Sequence, residues 1–95
     1  MTSTCYRFSM NESELKSAIE VKIGSSNYSI WTIGITDDPK RRRDEHEAEG
    51  ENVEYWSAWK ADTETIARNV EAYFINKGMT GGTGGGEHPT YVYVF

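Results

Sequence analysis

The sequence predicts an α+β domain, with a small, mainly antiparallel sheet of three to four strands flanked by about three helices. Three observations carry this expectation. Segments whose apolar residues recur at helical spacing alternate with short runs rich in β-branched and aromatic residues. The 95 residues contain no internal repeat, so one domain is expected over 1–95. Three Trp, six Tyr and three Phe supply the bulk of a core that a chain with one cysteine must build without an internal disulfide.

Taken in order, Thr4 to Phe8 reads as a short strand. Asn11, with Glu14 three residues on, forms a capping-box pattern, and Leu15, Ala18 and Ile19 then follow helical spacing. These residues predict a helix from Glu12 to Val21, ended by Gly24-Ser25-Ser26-Asn27. Tyr28 to Thr36 is expected to be a central strand, with Trp31, Ile33 and Ile35 on one face and Thr32 and Gly34 on the other.

Asp38 followed by Pro39 is a helix-start signal, and Lys40 to Glu49 continues without a breaker until Gly50. This second helix has almost no apolar face. Ala48 is its one aliphatic residue, so ion pairs such as Arg41 with Glu45 are expected to help hold it. Val53 to Trp59 predicts another strand, and Asp62 is the expected cap of a third helix from Thr63 to Lys77. Its residues Ile66, Ala67, Val70, Tyr73 and Phe74 repeat at helical spacing, and Gly78 stops it. Tyr91 to Phe95 is a strong strand, too apolar to lie outside the sheet.

Ten Lys and Arg against fifteen Asp and Glu give a net charge of −5, which excludes broad attraction to nucleic acid or an anionic membrane. From Asp37 to Glu54 there are eight acids and four bases, so any nucleic-acid contact must be local and centred on Lys40-Arg41-Arg42-Arg43. No stretch approaches the roughly 20 apolar residues of a membrane span, and no basic segment followed by an apolar one opens the sequence. A cytoplasmic location is expected. Cys5 reads as an incidental thiol, and His88 beside Glu87 has no zinc-ligand spacing to His46 or Cys5. The Gly81–Gly86 tract follows a helix, leads to a strand and lacks a lysine, so it reads as a connector rather than a phosphate loop.

The stretch Thr32-Ile33-Gly34-Ile35-Thr36, followed by a turn and the helix containing Arg42 and His46, resembles the second motif and first helix of the GIY-YIG nuclease superfamily. The family arginine, eight residues past the motif glycine, falls on Arg42, and the histidine some members carry one turn later falls on His46. The family's metal-binding glutamate lies in a pattern like Ala-x-x-x-Glu-x-x-x-Ile. Ala67 to Ile75 matches it and puts that role on Glu71. The resemblance covers roughly residues 28 to 77. Two features depart from the family: Thr32 stands where the second motif has tyrosine, and no Gly-Ile-Tyr strand precedes it, that region reading Ile19-Glu20-Val21-Lys22-Ile23-Gly24. A circular permutation would let Tyr91 to Phe95 take the missing strand's place, standing Tyr93 or Tyr91 beside Thr32.

The resemblance implies metal-dependent hydrolysis of nucleic acid, or a catalytically degenerate relative. Mg²⁺ or Mn²⁺ on Glu71 would polarise the phosphate, Arg42 would neutralise charge developing on it, and His46 or Tyr93 would handle the water's proton. Thr32, at the motif position, is too weak an acid to replace them. The rival reading is a non-catalytic module whose acidic surface over residues 44–54 binds a protein partner or imitates nucleic acid.

Overall fold

The computed structural model describes residues 9–81 and 88–95. The expected strand at Thr4 to Phe8 and most of the glycine tract lie outside them. Three helices, α1 (Glu12–Ile23), α2 (Pro39–Ala48) and α3 (Glu64–Lys77), accompany four strands, β1 (Thr32–Thr36), β2 (Ser57–Lys60), β3 (Thr80–Gly81) and β4 (Tyr91–Val94). The sheet order is β2-β4-β1-β3; β4 runs antiparallel to both neighbours, and β3 parallel to β1. The α+β class is therefore as the sequence predicts.

Local chemistry accounts for the helix starts. Asn11 caps α1 by accepting from the Glu14 amide, and Glu14 returns the bond to the Asn11 amide, closing the expected capping box. At α2, Asp38 accepts from the Arg41 amide at 3.1 Å and Pro39 fills the first turn, where no amide is needed. The cap of α3 is Thr63, not Asp62: the Thr63 hydroxyl accepts from Ile66, while Asp62 takes a bond from the Ser9 hydroxyl.

Two strand boundaries move. Tyr28–Ile30 coils into a single 3₁₀ turn, closed by the Trp31 amide on the Tyr28 carbonyl, so the strand begins only at Thr32. Residues 53–56 form a turn in which the Trp56 amide bonds to the Val53 carbonyl, and β2 starts at Ser57. The two-residue β3 is too short to carry an alternation signal.

Strand pleating sorts the sheet into two faces. Ile33, Ile35, Val92 and Val94 point to one, where they pack with Leu15, Ile19 and Ile23 of α1 and Ala67, Val70 and Phe74 of α3. Gly34, Thr36, Tyr91 and Tyr93 point to the other face. The register pairs Gly34 with Tyr93 and Thr36 with Tyr91. The last strand therefore lies beside the Thr32–Thr36 strand, the adjacency a permutation requires. Among the described residues no helix is long and apolar enough to cross a membrane.

Candidate functional site

The second sheet face is closed by polar side chains of α2. Four residues separate Arg42 from His46, so both lie on one side of the helix and reach the same cross-strand position. His46 Nε2 lies 3.0 Å from the Tyr93 hydroxyl, and the Arg42 guanidinium is within hydrogen-bonding reach of it. Tyr93 sits over Gly34, where an added Cβ would collide with its hydroxyl, Cζ and Cε2 atoms. Trp56 stacks on the Tyr93 ring with centroids 4.5 Å apart, and Phe95 lies 4.7 Å from His46.

The end of α2 supplies a further member. Gly50, at φ +91°, lets the Glu51 amide bond back to the His46 carbonyl and the Gly50 amide to that of Glu47. These two bonds make a Schellman motif, which normally brings an apolar pair together. Here it brings the Glu51 carboxylate to 2.5 Å from His46 Nδ1. With Nδ1–H donating to Glu51, Nε2 accepts from the Tyr93 hydroxyl, whose oxygen faces Arg42. A carboxylate, an imidazole, a phenol and a guanidinium thus form one connected chain, with the geometry of a general-base relay.

Burial governs its electrostatics. Tyr93 has no exposed surface and His46 is 3% exposed. Burial pushes the Tyr93 phenol above its usual pKa; Arg42 opposes this, while Glu71 and Glu51 add to it. Burial also works against the Arg42 charge. Bonds to Glu45, at 2.7 Å, and to Tyr93 nonetheless hold Arg42 above its ordinary value.

Glu71 stands apart from this chain. Its helix covers the opposite sheet face, and no hydrogen bond or ion pair joins it to Arg42 among the described residues. It acts on Tyr93 through its charge alone. Burial pushes the Glu71 carboxyl up, against the pull of Arg68. The folded chain thus holds this proton to higher pH than the unfolded chain, so stability falls as pH rises through that window and the cost remains at neutrality. In EDTA, Glu71→Gln is expected to raise Tm at pH 7. The gain should vanish near pH 3.5, where both states are protonated; an equal gain at both pH values would contradict the assignment.

Thr32 does not join the cluster. The expectation that Tyr93 or Tyr91 stands beside it is corrected by the register: its neighbour on the last strand's side is Phe95, through backbone bonds of 2.8 and 3.0 Å, and on the other side Thr80. The sequence assigns Trp56 to the core and gives no role to Glu51 or Phe95 at this site. Gly50 after α2 was the signal for Glu51. Trp56 falls on the opposite side of the alternation from the core-packed Trp59, which was the signal for Trp56.

Two places offer donors to a divalent ion. His46 Nδ1, Glu49 and Glu51 place ligand atoms within 4.8 Å of one another, but the Glu51 contact already engages Nδ1. Glu71 is half-buried without a hydrogen-bonding or ion-pair partner among the described residues, the condition an ion would relieve. One carboxylate with water and substrate phosphate is an ordinary Mg²⁺ environment. Comparison of the chain with family models, curated proteins and solved structures gives no match.

Proposed function

We propose that the domain hydrolyses phosphodiester bonds of nucleic acid with a divalent metal, as a GIY-YIG-like domain in which the last strand supplies the tyrosine that position 32 lacks. The observation supporting this reading is the Tyr93 hydroxyl over Gly34, facing both His46 and Arg42. The way α2 is held agrees with it. Charged and polar anchors stand where an apolar stripe would be more stable, and such locally unfavourable choices concentrate at functional sites.

Each residue then has a role. Arg42 offers a guanidinium whose side chain is 11% exposed to a phosphate oxygen, and stays charged at any working pH. Tyr93 fixes Arg42 and the His46 ring and links that ring to the attacking water. The water's proton passes to the Tyr93 oxygen as Tyr93 gives its own to His46 Nε2, and Glu51 stabilises the resulting imidazolium. Glu71 holds Mg²⁺ or Mn²⁺, which when bound would polarise the phosphate. Exposed Lys40 and Arg41, with the half-exposed Arg43, supply the local positive charge for the strand.

The burial of Tyr93 and His46 favours a second reading. Closed in this way, the chain of polar groups is a clamp for α2, and the acidic surface over residues 44–54 contacts a protein partner. Hydrolysis requires Trp56 to move off Tyr93 so that water reaches the Tyr93 hydroxyl. The test is incubation of single-stranded, duplex and branched oligonucleotides with the protein and Mg²⁺ or Mn²⁺, with and without EDTA. Cleavage that EDTA abolishes is expected. A folded protein that leaves every substrate intact would favour the clamp.

A further inference from the structure

Beside the cluster lies a groove of about 610 Å³. It runs between the end of α1, the loop after α2 and the edge of the sheet. The aromatic side chains of Trp31, Tyr55 and Phe95 line it, and Lys22 and Asn52 supply polar groups. Its volume is that of a small-molecule or single-nucleotide site. Glu51 also lines it and bonds to His46, while Phe95 contacts the His46 ring, so the groove adjoins the candidate centre.

The free polar atoms say what would fit. Lys22 has no ion-pair partner among the described residues. Asn52 spends its Oδ1 on the Glu54 amide at 3.0 Å, which leaves its NH₂ group to donate. Tyr55 is 58% exposed. Donors beside aromatic side chains call for a ligand with a planar ring, acceptor atoms on its edge and an anionic group. An apolar peptide would leave the donors unpaired, and a duplex hides its ring faces within the stack.

We propose that this groove holds one unpaired nucleotide of a single strand, its base against Tyr55 and Phe95, its edge on Asn52 and its phosphate at Lys22. The inference rests on the nucleic-acid reading above and names its substrate class, a strand with an unstacked base next to the phosphate to be cut. Base stacking on an aromatic side chain contributes roughly 1–3 kcal/mol per base and is tolerant of sequence.

The test is fluorescence anisotropy with a labelled ten-nucleotide single strand, at low salt and in EDTA so that nothing is cleaved. Wild type, Tyr55→Ala and Lys22→Ala are compared, with a duplex of the same sequence as competitor. Tyr55→Ala and Lys22→Ala are each expected to weaken binding about tenfold, with the duplex a poor competitor. Both groove variants should retain the wild-type Tm. Unchanged affinity in the two groove variants, an equally effective duplex, or no binding at all would overturn the groove assignment. Groove-dependent binding by a protein that cuts nothing with Mg²⁺ or Mn²⁺ would support the groove and reject the hydrolase reading, so the two failures are distinct.

Discussion

Gly34→Ala is expected to lower Tm by roughly 10 °C or more, since overpacking at a fixed contact costs about 2–3 kcal/mol in a domain this small. The added Cβ would meet the outer half of the Tyr93 ring. In many proteins the end of a side chain simply turns away. Here Trp56 stacks on that ring and His46 holds its hydroxyl at 3.0 Å, so the ring has nowhere to move. The control is a double-mutant cycle with Tyr93→Leu. On that background the added methyl should cost less than about 1 kcal/mol, because the contact that makes it expensive is gone. An equal loss of Tm in both backgrounds would show that Gly34 is constrained by something other than Tyr93.

Arg42→Ala carries the largest expected effect on activity. A preorganised cation on a developing phosphate charge contributes about 10²–10³ in rate, and this guanidinium is aligned before substrate arrives by Glu45 and Tyr93. Metal-dependent cleavage should therefore fall by about that factor. Arg42→Lys should recover only part of the loss, because an ammonium keeps the charge without the planar fork that serves Glu45, Tyr93 and the phosphate together. Circular dichroism separates this from unfolding. A folded Arg42→Ala protein that cleaves at the wild-type rate would remove Arg42 from the chemistry.

The parts of the fold set by hydrophobic period were legible in the sequence. Leu15, Ile19, Ala67, Val70 and Phe74 all reach the core their spacing predicts. So was the pairing of the last strand, because Tyr91 to Val94 has no stable place outside a sheet. The docking of α2 was not. Its contact is made by an arginine and a histidine with a tyrosine 47 positions beyond the histidine, and no periodicity marks a polar contact of that kind. Thr32 was misplaced by one pleat, because register depends on which residues meet across two strands and one strand's sequence does not carry that. The strand expected from Tyr28 begins late because Tyr28–Ile30 closes a turn, a local bond that β propensity cannot anticipate.

Arg42 and Glu71 come from helices on opposite sheet faces, so the most exacting question is whether they serve one phosphate. The measurement is the Mn²⁺-dependent cleavage rate of Arg42→Ala, Glu71→Gln and the two combined, each confirmed folded. Groups acting on one transition state fail together, so the combined variant is expected to cleave within about threefold of the slower single variant. Losses that multiply, or a Glu71→Gln protein that cuts at the wild-type rate, would contradict a shared centre.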